Sequence, residues 1–168
     1  ERIIEHFKRY MRNEGIKAGQ FAMFRNNTLT QSLAFTWAED GYRTTETDSL
    51  FRIASCSKIF ATAALREAVA LTGTPADAKV FKILGLTGTP QDDRIDQITI
   101  EHLIGHRGGW NYRDGTNGNL PRPDPVFNLR HIGRTMGLDH PPNAEEFARY
   151  VHERIALDFD PGQHESYS

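Results

Sequence analysis

Phe51-Arg52-Ile53-Ala54-Ser55-Cys56-Ser57-Lys58 is the stretch on which the reading of this chain turns. It contains Ser-x-x-Lys, Ser55 to Lys58, and runs directly into an Ala-rich segment, Ser57–Leu71. That segment reads as a helix. Phe60, Ala64, Ala68 and Leu71 share one face, and Gly73 and Pro75 end it. The small residues on the face predict close packing inside the molecule. With Ser55 at the first turn, Lys58 lies one turn later on the same side, within reach of the hydroxyl. A free serine is a weak nucleophile and needs a neighbouring base. A lysine serves where burial and positive potential favour its neutral amine, so its ammonium is expected buried near Ser55. A helix N-terminus supplies such potential, and its backbone amides can hold an oxyanion. Four residues alone favour a helix-capping serine beside a solvated lysine, so the surroundings must decide.

Upstream, residues 1–14 read as an amphipathic helix with Ile3, Ile4, Phe7, Tyr10 and Met11 on one face and Gly15 as the stop. Two strands follow, near Gly19–Arg25 and Thr28–Trp37. The second puts Leu29, Leu33, Phe35 and Trp37 on one side, with Gln31 interrupting the row. Asn26-Asn27 between them suits a tight hairpin, because Asn tolerates positive φ. Asp40-Gly41 marks a further turn, and Leu50–Ala54 is a short apolar approach to Ser55. Downstream, a helix is expected from about Thr99, as cap, to His106, with Gly108-Gly109 just past its end. Residues 107–142 hold Pro121, Pro123, Pro125, Pro141 and Pro142 and read as a long irregular excursion. Asn143–Ile155 is a third helix with Phe147, Tyr150, Val151 and Ile155 as its apolar stripe, and Pro161-Gly162 is a turn.

Composition narrows the class. The 168 residues are 38% hydrophobic with 20 basic and 22 acidic side chains, a net charge of −2. No field of one sign exists to recruit nucleic acid or an anionic membrane surface. No apolar run approaches the roughly 20 residues of a membrane span. Glu1-Arg2-Ile3-Ile4-Glu5 has no signal-peptide pattern, and a removed signal leaves no trace, so a soluble protein is expected, cytoplasmic or exported. Cys56 is the single cysteine, which rules out an internal disulfide and a cysteine zinc cluster; a small buried apolar side chain is the expectation for it.

The longer string Phe51–Lys58 resembles the nucleophile segment of the class-C-like branch of the serine β-lactamase and penicillin-binding-protein superfamily, which holds esterases, D-amino-acid peptidases and class C β-lactamases. Other segments agree in order. The Thr44–Leu50 lead-in is similar. Ile98-Thr99-Ile100-Glu101-His102-Leu103-Ile104-Gly105-His106 with Gly108-Gly109-Trp110 resembles the family's helix and loop beside the active site. Leu157-Asp158-Phe159-Asp160-Pro161-Gly162 leading to Tyr167-Ser168 resembles the approach to its Tyr-x-Asn motif. The resemblance implies Ser55 as nucleophile, Lys58 as its proton-handling partner and Tyr167 as a second proton-transfer group. It also implies that residues 1–168 are the N-terminal portion of one hydrolase domain. Residues 1–54 would be a helix and first strands, and 55–168 the nucleophile helix and helical region. The remainder, with the Asn and a later Lys/His-x-Gly strand, is expected beyond Ser168 as continuing or second polypeptide.

The other candidates are weaker. His102 and His106, four apart, suit a metal site in spacing, but no Glu follows His102 and no third ligand is near, so a structural role is expected and no metal. Trp110 and Tyr112 are candidates to line a substrate pocket. Asp92, Asp93 and Asp96 read as solvated surface, and Asp139-His140 or His164 could join Ser55 in a conventional triad that Lys58 makes unnecessary. No Walker loop and no Gly-x-Gly-x-x-Gly occurs. The expected fold is α/β, of the α+β type: an antiparallel sheet flanked by helices plus a mostly helical subdomain, β-lactamase/transpeptidase-like, with the active site at their junction. The expected function is that of a serine hydrolase acting through an acyl-enzyme on an ester or small amide, with no cofactor. The alternatives are a D-amino-acid peptidase, a β-lactamase-like enzyme, or a non-catalytic penicillin-binding-like module.

Overall fold

A computed structural model describes residues 2–37, 40–115 and 117–167. Glu1 of the predicted first helix and Ser168 of the Tyr167-Ser168 pair lie outside the described residues. The chain divides into two units, residues 1–55 and 56–168. Helix and antiparallel sheet are both present, as a mixed fold requires.

In the first unit, helix α1 spans Arg2–Asn13, and strands β1 (Ala18–Arg25) and β2 (Thr28–Thr36) form a two-stranded antiparallel sheet. The hairpin forms where the Asn pair predicts it. Asn26 and Asn27 both take positive φ, 49° and 60°, which matches the twist of the flanking strands. The register runs from Ala18 opposite Thr36 to Arg25 opposite Thr28, with an irregularity between Met23 and Phe24. The sheet packs on α1 through rings: Phe7 lies 5.6 Å from Phe21 and 5.8 Å from Phe35. Met11 is buried, and a Cβ at Gly19 would stand 3.1 Å from its side chain, so a residue without one sits where the helix crosses the strand. Gln20 Nε2 donates to the Glu46 and Ser49 carbonyls, tying the following loop to β1. The expected apolar faces are only partly covered: Ile3, Tyr10, Leu29 and Trp37 are exposed.

The second unit is helical. Helix α2 spans Ser57–Thr72, with Gly73 at φ 65° as its C-cap. Its extent agrees with the sequence pattern, but its packing does not: no residue of α2 is buried, and Ile59, Phe60 and Leu71 are largely exposed. The small-residue face that predicts a tight neighbour has none among the described residues. Cys56, at the N-cap of α2, is exposed for the same reason, against the expectation of a buried thiol.

Two apolar clusters hold the rest together. Phe81 of the short helix α3 (Val80–Ile83) packs with Ile95, Ile98 and Leu157. Leu120 packs with Ile132 of α5 (Leu129–Thr135) and with Tyr150 and Ile155, which lie on and just after α6 (Ala144–Arg154). Trp110 packs against both clusters. Helix α4 is shorter than expected, Ile100–Ile104, and begins at a capping box in which Thr99 Oγ1 accepts from the His102 backbone and His102 Nδ1 accepts from the Thr99 backbone. Burial lowers the His102 imidazole below its ordinary value, and the nearby Lys79 and Arg107 charges lower it further. Asn143 and Glu146 form the matching box on α6. The 107–142 excursion is more ordered than its prolines suggest. It contains α5 and two 3₁₀ segments, Asn117–Asn119 and Pro125–Asn128, and Asn128 braces the latter by accepting from the Arg122 backbone and donating to the Arg122 and Asp124 carbonyls.

The acidic run at 92–96 is not simply solvated surface. Asp92 accepts from Arg94 Nη2, from the Arg94 backbone and from the Leu157 backbone; Arg94 also donates to Asp160 at 2.8 Å and to the Leu157 carbonyl. The Arg94 side-chain hydrogen bond holds the Asp92 carboxyl at about 2, against the opposing effect of burial, with the two backbone amides helping. Because the folded value lies below the unfolded one, this stabilisation is fully present above the unfolded value of 3.8 and is lost as pH falls towards about 2. Asp92→Asn is expected to cost about 1 kcal/mol at pH 7 after solvent screening is allowed for. Thermal unfolding of both forms should show the deficit shrinking between pH 5 and pH 2. An equal deficit at both ends of that range would refute the assignment. Asp96 meanwhile lies 3.1 Å from the Nε2 of buried His152, whose ring faces Phe81 at 5.1 Å.

Candidate functional site

Ser55 lies in a 3₁₀ turn, Ala54–Cys56, that leads into α2, so it stands two positions before the helix rather than in its first turn. Ala54, directly before it, takes φ 44°. A left-handed alanine costs on the order of 1 kcal/mol and such strain gathers at functional positions. Ser55 is exposed. Lys58 occupies the first turn of α2 and is also exposed, which corrects the expectation of a buried ammonium. What engages the ammonium is a phenol.

Lys58 Nζ donates to Tyr167 Oη at 3.0 Å and stands 4.7 Å from the centre of the same ring. These residues are 109 positions apart, and the loop after α4 explains how the second reaches the first. His106 takes φ 53° and Gly109 φ 108°. At Gly109 the chain passes so close to the 157–160 segment that a Cβ would lie 2.6 Å from the Phe159 carbonyl oxygen. The Gly109 carbonyl accepts from the Asp158 and Phe159 backbones. Further along, Gly162 donates to the Arg107 carbonyl and Ser166 donates to the His106 carbonyl, each at 2.8 Å. The 106–109 loop and the 158–166 segment are thus stitched side by side, which delivers Tyr167 to the end of the seam.

Asp158 secures the other side of this loop. Its Oδ2 accepts from the Asn111 backbone at 2.8 Å, and the Asn111 carbonyl accepts from Gly115. Tyr112 meets Tyr167 edge-on, 6.3 Å between centres at 71°, and the Arg113 guanidinium lies 5.9 Å from the Tyr112 ring. Lys58, His106, Trp110, Tyr112, Phe147 and Ile155 contribute to the wall of a largely apolar cavity of about 390 Å³. That volume suits a small molecule. Trp110 and Tyr112 therefore line a concavity that also contains Lys58, although Trp110 additionally serves as a core anchor.

The remaining candidates lie elsewhere in the contact network. His140 is exposed beside Asp139, 3.9 Å away, with its Nδ1 2.9 Å from the Pro141 carbonyl. The His140 imidazole is raised above its ordinary value, chiefly by that carbonyl. His164 meets Phe159 edge-on. Among the described residues no group of three or more His, Cys, Asp and Glu side chains is arranged to hold a metal ion, and no helix is long and apolar enough to cross a membrane. The sequence offers no signal for the roles of Asp158 and Arg94. Each acts across more than 40 positions, and a lone charged residue carries no mark of such a partner.

The Beta-lactamase family model matches residues 3–168. Nearly the whole chain is covered. The chain belongs to the Beta-lactamase family, within the superfamily of serine β-lactamases and penicillin-binding proteins.

Proposed function

We propose that this protein is a serine hydrolase that works through an acyl-enzyme on an ester or small amide, with Ser55 as nucleophile and Lys58 and Tyr167 as the proton-transfer pair. The observation that carries the reading is the 3.0 Å hydrogen bond from Lys58 Nζ to Tyr167 Oη. A lysine amine and a phenol in direct contact can pass a proton between them. Only Cys56 and Ser57 separate Lys58 from Ser55 in the chain, so the pair is tethered close to the hydroxyl it would serve.

In the proposed sequence Ser55 Oγ attacks the substrate carbonyl while its proton passes to the Lys58–Tyr167 pair. The tetrahedral intermediate collapses, the leaving group takes that proton, and the acyl group remains on Ser55. Water then gives its proton to the pair and attacks the acyl carbon, the bond from that carbon to Ser55 Oγ breaks to release the acid, and the pair returns the proton to Ser55 Oγ. The apolar cavity containing Trp110 and Tyr112 supports a substrate with a hydrophobic arm. Rapid mixing of the full chain with a p-nitrophenyl ester tests the proposal. A burst of nitrophenol equal to the enzyme, followed by slower steady turnover, is expected. Acylation with no measurable second phase, on esters and β-lactams alike, would favour a penicillin-binding-like module instead. No acylation at all would refute the proposal.

A further inference from the structure

We propose that His106 is the positioning residue for Tyr167, holding the phenol in register with Lys58; the inference rests on the proton-transfer role proposed above. Tyr167 is 46% exposed, so burial does not fix its ring. His106 holds it twice. Its imidazole lies over the ring with 4.6 Å between centres and 35° between planes. Its carbonyl accepts from Ser166, the residue before Tyr167, at 2.8 Å. Side chain and backbone of one residue therefore set both the direction in which the chain enters Tyr167 and the face on which the ring rests.

The backbone of His106 points the same way. At φ 53° it occupies the left-handed region, where glycine would rest without strain. Gly105 stands next to it at an ordinary negative φ, and Gly108 and Gly109 follow closely. His106 keeps a ring at a left-handed position of this glycine-rich loop, where that ring costs backbone strain and meets Tyr167. The left-handed turn also aims the His106 carbonyl at Ser166. Tyr112 completes the setting edge-on, leaving the phenol oxygen to the Lys58 ammonium.

The test compares His106→Ala, His106→Gly and His106→Phe in the full chain. For each, kcat and KM are measured on a p-nitrophenyl ester, and the Tyr167 resonance is followed by NMR of protein labelled at tyrosine Cζ. His106→Ala and His106→Gly should lower kcat roughly 10- to 100-fold with KM nearly unchanged, as expected when a reacting group is misplaced by about an ångström. Both should shift the Tyr167 resonance. His106→Phe, which keeps a ring in place without a titrating nitrogen, should recover most of the rate and the native resonance. His106→Gly relieves the backbone, so it stays interpretable if the alanine form is unstable. Wild-type kcat and an unshifted Tyr167 signal in His106→Gly would overturn the inference, and so would a His106→Phe form as impaired as His106→Ala. Tyr167→Phe separates the two layers. Full activity in that variant sinks the proton-transfer role of Tyr167, whereas the resonance shifts still report whether His106 positions the ring.

Discussion

Ser55→Ala is expected to remove hydrolysis, lowering kcat by roughly 10⁴-fold or more, since loss of the nucleophile leaves only binding and oxyanion stabilisation to act. The fold should survive. Ser55 is exposed, and α2 takes its N-cap from Cys56 with no side-chain capping bond, so the stability change should stay within about 1 kcal/mol. Peptide mass mapping after treatment with a fluorophosphonate or a β-lactam should find the adduct on Ser55 in the native chain and no adduct in the variant. Ser57 and Cys56 are the informative competitors, because both are exposed hydroxyl or thiol groups within two positions. An adduct on either would move the nucleophile and undo the assignment.

Lys58→Arg carries the second large effect. Arginine keeps the positive charge and can still donate to Tyr167 Oη and lie against its ring, so the electrostatic setting of the phenol is largely retained. It cannot give up its proton, because guanidinium stays protonated in proteins. If Lys58 moves protons, turnover should fall by about 10²- to 10⁴-fold, the usual contribution of general acid–base catalysis. If Lys58 is only a charged anchor for Tyr167, the variant should work nearly as well as the native protein, and that result would defeat the proposed mechanism. The exposure of Lys58 sharpens the contrast, since a larger head group at this position meets no packed core.

The sequence by itself determined what depends on neighbours a few positions apart. Asn26-Asn27 folds as a tight turn because both residues accept positive φ, and the flanking alternation pairs β1 with β2. The ends of α2 and α6 follow from Gly73 and from the Asn143–Glu146 box, each a contact within one turn of helix. Short helices were less legible. Val80–Ile83 and Leu129–Thr135 hold four and seven residues, too few for a 3.6-residue period to stand out beside prolines and glycines. Family resemblance singled out Ser55, Lys58 and Tyr167, yet no local pattern reveals that Lys58 and Tyr167 touch. Tertiary structure alone decided that contact, as it decided the stacking of His106, the Arg94 bridge from Asp92 to Asp160, and the absence of a covering neighbour on α2 among the described residues. The reason is physical. Capping, turn and periodicity preferences are energies of a chain with itself over a few bonds. A contact between distant positions depends on the path of everything between them, here on a loop whose Gly109 lets one segment lie against another. An amphipathic helix states which of its faces is apolar, and its sequence contains no term for what will lie on that face.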